Sequence, residues 1–394
     1  MTTKPSREIV TEWIHIAFDE TSSFVETYGF SGSQGTVNLE GLLLKPQGDS
    51  SRTLLVFMHP ASTLQLLPMP RKLAQMGFHV LCAGSRFAKN DTALIMEKVV
   101  LDLGAYIKEA KQNRGYEKVV LMGWSGGGAL SAFYQAQAEH PSITHTPAGD
   151  QVDIAGAGLI PADAVVFQAA HLSRARMLSE MIDPSVKNEN DPDDRVLEMD
   201  IYDPRNPHQP PYSQAFIEEY RTNQLKRIRK IRQWVLETLD DLKRRKTLEM
   251  ERGFVTHRTM AEPRFLDPTL DPNGRRPGWC YMGHPETANN GPIGLGRFST
   301  LRSWLSQWSI DDSNADGLNC AAHISKPALV VENEADDAVP QPHPAMMFNA
   351  LGSQDKTMHV IAGATHYYKE QPEHLNQVAT ILTDWMASRK LIDF

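Results

Sequence analysis

The stretch that most constrains the fold runs from Lys118 to Leu130 and reads Lys-Val-Val-Leu-Met-Gly-Trp-Ser-Gly-Gly-Gly-Ala-Leu. Its apolar first half predicts a strand buried on both faces, and the spacing of the apolar residues after it predicts a helix. Gly123 and Gly127 flank Ser125 at the junction. A strand and a helix can pack this closely only if the residues around the turn lack side chains. The stretch therefore predicts a strand, a sharp turn carrying a serine, and a helix.

The spacing Gly123-x-Ser125-x-Gly127 is the nucleophile-elbow motif, in which a strained turn pushes the serine hydroxyl into a cleft. A serine hydroxyl is a weak nucleophile at neutral pH, so it needs a nearby base and donors for the oxyanion that forms after attack. Glycine-rich turns also follow strands in nucleotide-binding folds. This stretch lacks the Lys-Ser/Thr of a phosphate loop and the acidic ribose ligand of a dinucleotide site. The motif thus favours a nucleophilic serine.

Strand-like and helix-like segments alternate on both sides of the motif. Apolar runs predict strands at 53–58, 79–83, 119–122, 162–170, 326–332 and 358–361, and amphipathic segments predict helices up to about 77, at 91–111, after Ser125, after 344 and at 372–389. This alternation is typical of right-handed βαβ units and a parallel sheet. Strands at 12–20 and 35–46, separated by a glycine-rich turn at 29–35, predict an antiparallel edge.

The alternation stops between residues 171 and 322. This segment contains acidic and proline-rich loops, one long helix over about 214–251, a short helix near 300–308, and no strand pattern. We predict a mainly helical cap at 171–322, inserted after the sixth strand of a core formed by 1–170 and 323–394. The long helix carries many basic residues, yet its apolar stripe favours a buried helix with a solvated charged face over an anion or coenzyme A site.

Two segments near the end of the chain can supply a base and an acid. Ligands in open α/β sheets bind at the carboxyl ends of the strands. His366 directly follows the last predicted strand, and Asp336 and Asp337 lie in the loop after the strand that ends near Glu332. The order serine, acid, histidine is that of an α/β-hydrolase triad. We assign Asp336 as the acid and keep Asp337 as the alternative.

On these residues the chain resembles the α/β-hydrolase superfamily, over about 35–170 and 323–394. The resemblance implies a mostly parallel sheet flanked by helices, with Ser125 as nucleophile, His366 as general base and Asp336 as the acid. It also implies an oxyanion hole made by the backbone N–H groups of Ala61 and Gly126.

Two loops depart from the usual pattern of that superfamily. Proline follows His59, where a glycine is usual, and Asn333 stands where another glycine is usual. The shapes of these loops are therefore expected to differ, while the three triad positions are unaffected.

Five further residues are candidates for substrate contact: His59, Trp124, His171, Trp304 and Trp308. For His171, a hinge or structural role is favoured over substrate contact. Trp304 and Trp308 share an apolar helix face with Leu301 and Leu305. Such a face belongs either to a core or to a substrate pocket. We expect the pocket to hold a medium-sized, largely apolar ester or thioester that reacts through an acyl-enzyme. Amide or carbon–carbon bond hydrolysis, and a catalytically silent binding protein, are the alternatives.

Composition narrows the class of protein and its partners. A formal net charge of −8 over 394 residues argues against nucleic acid as a partner. Three widely spaced cysteines, the lack of a leader and the lack of a long apolar run predict a cytoplasmic protein with reduced thiols and no membrane span. The 14 histidines form no close metal-binding pair, so neither a metal nor a cofactor is expected. The expected partner is a small-molecule substrate, with homo-oligomerisation left open.

Overall fold

The computed structural model describes residues 7–19, 36–245, 247, 249–292 and 294–392, so the predicted glycine-rich turn at 29–35 lies outside the described residues. The strands are β1 (Ile9–Asp19), β2 (Thr36–Pro46), β3 (Thr53–His59), β4 (His79–Gly84), β5 (Lys118–Ser125), β6 (Ala164–Ala170), β7 (Val186–Asn188), β8 (Asp191–Arg195), β9 (Gly253–Val255), β10 (Phe298–Thr300), β11 (Ala328–Asn333) and β12 (Lys356–Ile361). The α-helices are α1 (Pro68–Met76), α2 (Met96–Lys108), α3 (Gly126–Glu139), α4 (Arg174–Met181), α5 (Gln214–Arg245), α6 (Pro285–Asn290), α7 (Leu301–Trp308), α8 (Gly317–Ala321), α9 (Pro342–Ala350) and α10 (Pro372–Ser388).

Eight of the strands form one mostly parallel sheet in the order β1-β2-β4-β3-β5-β6-β11-β12. β2 pairs antiparallel with both β1 and β4, and the later neighbours pair parallel. β3, β4, β6 and β11 are buried along their whole length, as continuous apolar runs require. The predicted fold class, a mostly parallel α/β sheet with an antiparallel edge, is confirmed.

Helices cover both faces of this sheet, and alternate residues of each central strand enter opposite cores. In β3, Leu54, Val56 and Met58 pack in the core beneath α2 and α3. Leu55 and Phe57 pack in the other core, beneath α1 and α10. The two cores fix the positions of the central strands, and the loops at their carboxyl ends are fixed with them.

The segment between β6 and β11 has a core of its own, to which α4, α5 and α7 contribute. The predicted long helix ends at Arg245 instead of near residue 251. The expectation of no strands is wrong, because β7 pairs with β8 and β9 pairs with β10. These strands are three to five residues long, and β8 reads Asp-Pro-Asp-Asp-Arg. Strands this short cannot show an apolar alternation, so the sequence pattern does not indicate them.

The end of this segment belongs to the sheet side of the molecule. Ala315, Cys320 and Ala321 lie in the core beneath α3, although the predicted cap extends to residue 322. The segment between β6 and β11, for which we keep the name cap, contacts the sheet through α7, where Ser306 Oγ accepts a hydrogen bond from the Met96 N–H at the start of α2 (2.9 Å).

All three cysteines are buried and none forms a disulfide. Cys82 lies in β4, Cys280 in the loop before α6, and Cys320 in α8. Burial raises the pKa of Cys82 and of Cys320 to about 12, and that of Cys280 to about 11. Within the described ranges, no helix has the length and apolar character needed to span a membrane.

Candidate active site

Ser125 ends β5 in a strained backbone conformation, with φ 54° and ψ −126°. A residue with a side chain rarely adopts a positive φ, and such strain is characteristic of functional sites. The pairing of β5 with β6 shifts register between Trp124 and Ser125, and α3 begins at the next residue, Gly126. The predicted strand, turn and helix are therefore present, with the serine at the tip of the turn.

The glycines after the serine allow two elements to approach the turn closely. A Cβ atom on Gly127 would lie 2.3 Å from the carbonyl oxygen of Met58 in β3. A Cβ atom on Gly128 would lie 2.4 Å from the Cβ of Ala170 at the end of β6. Both distances are shorter than van der Waals contact, so neither position can hold a larger residue without moving the neighbouring strand.

His366, in the loop after β12, is hydrogen-bonded through Nδ1 to Oδ2 of Asp336, in the loop after β11, at 2.9 Å. The other oxygen of this carboxylate accepts hydrogen bonds from the backbone N–H groups of Ala338 (2.7 Å) and Val339 (2.9 Å). Asp336 is the residue of the acidic pair that contacts the histidine. Burial and the neighbouring Asp336 carboxylate raise the pKa of Asp337.

Ser125 and His366 line the same cavity, which has a volume of about 80 Å³. Among the described residues, no hydrogen bond joins the Ser125 hydroxyl to the imidazole. Catalytic hydrogen bonds are often long in unliganded enzymes and shorten when substrate binds. Trp124 packs against the imidazole, with ring centroids 4.6 Å apart, and limits the positions that the ring can occupy.

A second polar network holds the histidine loop in place. Asn333, at the end of β11, donates a hydrogen bond to the carbonyl of Thr365 (2.8 Å), next to His366. Its side-chain oxygen accepts one from the Tyr368 hydroxyl, which in turn accepts one from Gln168 in β6 (both 2.8 Å). Asn333 thus has a structural role where the superfamily usually carries glycine. The sequence showed that Asn333 replaces the usual glycine, but not which hydrogen bonds its side chain makes.

The loop after β3 differs from the predicted oxyanion hole. The N–H groups of Ala61 and Ser62 both donate to Nδ1 of His59, at 3.1 and 3.0 Å. The Ala61 N–H is thus already used within its own loop. Gly126 does line the cavity, and as the first residue of α3 it carries one of the amides that have no acceptor inside a helix. The structure therefore supplies one of the two predicted backbone donors.

Comparisons with known proteins bear on the architecture. No family model matches the sequence, and no curated protein sequence matches it. The structure of DcsB with its substrate analogue matches with a TM-score of 0.50 at 12% identity, covering 96% of this chain and 99% of that one. Peroxisomal α/β-hydrolase Lpx1 from Saccharomyces cerevisiae has a TM-score of 0.46 at 11% identity, covering 97% and 89%. Brefeldin A esterase, a bacterial homologue of human hormone-sensitive lipase, has a TM-score of 0.46 at 12% identity, and the match covers 98% of this chain and 78% of that one.

The match to DcsB supports the fold that the order of the sheet indicates. A serine elbow follows β5, an acid follows β11, and a histidine follows β12. The chain has the α/β-hydrolase fold.

The segment between β6 and β11 adds polar side chains to the cavity that contains Ser125. Arg174, at the start of α4, lines the cavity while Nε donates to Gln307 (2.7 Å) and Nη2 is bonded to Asp91. Its third nitrogen, Nη1, has no acceptor among the described residues. His171 also lines the cavity, and its buried Nδ1 has no partner within the described part of the chain. Tyr281 lies beside them.

Arg174 and Tyr281 are site residues that the sequence pattern did not predict. Arg174 begins α4 three residues beyond His171, so its proximity to the end of β6, at the carboxyl edge of the sheet, was the available signal. Tyr281 belongs to an irregular segment with no such signal. Within the described ranges, no three His, Cys, Asp or Glu side chains are grouped so that they could hold a metal ion.

The predicted substrate contacts divide into two groups. His59, Trp124 and His171 line the cavity. Trp304 and Trp308 do not, because both are fully buried in the cap core with their rings stacked on each other (6.4 Å between centroids). Their indole N–H groups donate to Thr256 and to the carbonyl of Gly296. The apolar face of α7 is therefore core, and its assignment to the substrate pocket is wrong.

Proposed function

We propose that the protein is a serine hydrolase that cleaves carboxylic esters or thioesters of a small-molecule substrate through a covalent acyl-enzyme. One observation carries this proposal: a serine on a strained elbow shares a cavity with a histidine whose Nδ1 is hydrogen-bonded to a buried carboxylate. A carboxylate at Nδ1 keeps the proton of the neutral ring on that nitrogen, so the lone pair of Nε2 is available to accept another proton. This combination makes a serine hydroxyl nucleophilic at neutral pH.

The reaction follows from these roles. Ser125 Oγ attacks the carbonyl carbon while His366 Nε2 takes the hydroxyl proton, and the carbonyl oxygen becomes an oxyanion near the Gly126 N–H. The tetrahedral intermediate collapses and expels the alcohol or thiol, which takes the proton from His366. Water then repeats the sequence on the acyl-enzyme and releases the acid. Asp336 stays ionised throughout and stabilises the imidazolium that forms twice.

The size and lining of the cavity suggest further features of the substrate. A largely apolar substrate was inferred from the two indoles of α7, which lie elsewhere. On the cap side, Arg174, His171 and Tyr281 line the cavity together with the apolar Met177 and Leu295, and 80 Å³ is well below the roughly 300–1,000 Å³ of most ligand pockets. We therefore propose that the acyl group beside Ser125 is small, and that the substrate carries a hydrogen-bond acceptor that meets Nη1 of Arg174.

Covalent labelling tests the function directly. A fluorophosphonate should modify the purified protein at the peptide that contains Ser125, and the same protein should hydrolyse p-nitrophenyl acetate faster than the hexanoate. Ser125→Ala should abolish both signals. Ser62→Ala is the matched control, since Ser62 also lines the cavity and should leave labelling in place. Absence of both labelling and turnover on esters, thioesters, anilides and diketones would favour a silent binding protein on this fold.

Arg174→Lys tests the polar contact. Lysine keeps a positive charge beside Asp91 but removes Nη1, so selectivity for a succinate or malonate half-ester over the acetate ester should fall. A loss of about 1–3 kcal/mol for the half-ester, roughly ten to a hundredfold in kcat/KM, is expected for one charge-assisted hydrogen bond. Equal losses for both esters would remove Arg174 from substrate recognition.

A further inference from the structure

The hydrogen bonds of His59 determine where its ring carries a proton. Nδ1 accepts hydrogen bonds from two backbone N–H groups, those of Ala61 and Ser62. A ring nitrogen that accepts a hydrogen bond has no proton, so in the neutral imidazole the proton is on Nε2. Burial, together with the nearby Arg174 and His366, lowers the pKa of His59 to about 3, which keeps the ring neutral in ordinary buffers.

The protonated nitrogen lies next to the elbow. A Cβ atom built on Gly126 would be 2.6 Å from His59 Nε2, so this nitrogen is packed against the residue that follows the nucleophile. His59 lines the cavity that contains Ser125 and is otherwise buried. In the part of the chain that the structure describes, no group accepts a hydrogen bond from Nε2. Nε2 is not one of the fully enclosed polar atoms, so its N–H is accessible from the cavity and can donate to a ligand or an intermediate there.

The Ala61 N–H cannot serve the oxyanion while it is bonded to Nδ1 of His59. We propose that His59 Nε2–H donates the second hydrogen bond to the oxyanion, beside the Gly126 N–H, and so replaces the backbone donor usual at this position. When Ser125 Oγ bonds to the carbonyl carbon, the C=O π electrons move to the oxygen, and the two N–H groups stabilise the charge without transferring a proton. This assignment rests on the proposed hydrolase function.

Two substitutions separate this role from simple support of the loop. In His59→Asn the side-chain oxygen can replace Nδ1 as acceptor for the N–H groups of Ala61 and Ser62, as in an Asx turn, but nothing replaces Nε2–H. In His59→Gln the longer amide can place an N–H near the position of Nε2 while the Nδ1 acceptor is lost. A catalytic donor predicts that Asn is the more harmful change. A purely structural histidine predicts the opposite ranking.

The measurements are kcat and KM for an ester substrate, together with the inhibition constant of a trifluoromethyl ketone, which forms a tetrahedral oxyanion adduct on serine. We expect His59→Asn to lower kcat by on the order of 10²–10³-fold, to change KM little, and to weaken the ketone by a similar factor. His59→Gln should retain more of both. Unchanged kcat and ketone affinity in His59→Asn, or a larger loss in His59→Gln, would overturn the assignment.

Failure of this assignment can be distinguished from failure of the proposed function. Fluorophosphonate labelling of Ser125 and ester turnover are measured on the wild-type protein first. If both are absent, the hydrolase proposal itself fails. If both are present and the His59 variants rank in the structural order, only the donor role of His59 is lost.

Discussion

At the scale of residues, the chemistry depends on Ser125 and His366 acting together. Ser125→Ala and His366→Ala should each lower kcat by on the order of a thousandfold or more, because each removes the activated nucleophile. The kcat of the double variant should be scarcely lower than that of either single variant, because neither residue contributes to catalysis once the other is absent. Steady-state kinetics on the three proteins, with circular dichroism as the folding control, measure this. Multiplicative losses in the double variant would contradict the triad.

Substitutions of the adjacent Asp336 and Asp337 should have very different effects on kcat. Asp336→Asn should lower kcat by on the order of ten-thousandfold, because an amide at this position favours the wrong tautomer of His366. Asp337→Asn should have a mild effect, since the Asp337 side chain makes no hydrogen bond to the histidine. The comparison is made with one ester at saturating concentration. The reverse ranking would transfer the role to Asp337.

The sequence predicted which residue types would meet at the carboxyl edge, but not every detail of their contacts. Choosing between Asp336 and Asp337 depends on the N–H groups of Ala338 and Val339, which fix the direction of one carboxylate. The Ala61 N–H was assigned by resemblance to a loop that carries glycine after the histidine. With Pro60 there, the loop turns its amides toward the His59 ring, a direction that no sequence pattern indicates.

At the scale of elements, α7 should contribute to stability and not to selectivity. Trp308 is fully buried in the cap core, so Trp308→Ala should lower the free energy of unfolding by on the order of 3–5 kcal/mol. The ratio of kcat/KM for hexanoate and acetate esters should stay the same at a temperature where the variant is folded. Met177→Ala is the comparison, because Met177 lines the cavity and its loss should change that ratio. A changed ratio in Trp308→Ala alone would return α7 to the pocket.

Elements were predictable in proportion to the apolar surface that they bury. The central strands and α5 show patterns because whole faces of them pack in a core, and their predicted positions agree with the structure to within a few residues apart from the C-terminal end of α5. β7, β8, β9 and β10 bury little and are held by short backbone pairings, so their sequences carry no comparable signal. The sequence showed that α7 has an apolar face, but it did not show which core that face packs in.

At the scale of the whole molecule, one buried carboxyl lies between sheet domain and cap. Glu97 in α2 accepts a hydrogen bond from Asn314 (2.8 Å) and lies near Ser306 of α7, and burial raises its pKa from 4.5 to about 6. Below pH 4.5 it is protonated in both the folded and the unfolded chain. As the pH rises from there the unfolded chain loses the proton first, so this group lowers the free energy of unfolding by about 2 kcal/mol by neutral pH.

Glu97→Gln should remove this effect, because the amide stays neutral while its oxygen can still accept the Asn314 bond. Urea denaturation at a series of pH values from 4 to 8 measures it. The variant should gain stability relative to the wild type as the pH rises, with most of the change between pH 4.5 and about 6.5. A difference that does not vary with pH would show that Glu97 has the same pKa in both states.

The architecture of the sheet was predictable because chain order and the right-handedness of βαβ units leave few alternatives. The arrangement of the cap was not, since no comparable rule relates α4, α5 and α7 to the cavity. Arg174 reaches the site because α4 begins directly beyond β6, and it is held there by Gln307 of α7 and by Asp91. The place of Arg174 in the cavity follows from this tertiary contact and not from any local motif.

The three buried thiols provide a way to time the movements of the molecule. An alkylating reagent reacts with thiolate, so each cysteine is protected until its own segment opens to solvent. Cys280 precedes Tyr281, which lines the cavity from the cap, whereas Cys82 lies in β4 of the sheet. If the cap lifts while the sheet stays intact, mass spectrometry after brief alkylation will find Cys280 modified long before Cys82. Comparable rates at the two positions would mean that the cap opens only when the whole molecule unfolds, and substrates would then have to enter by another route.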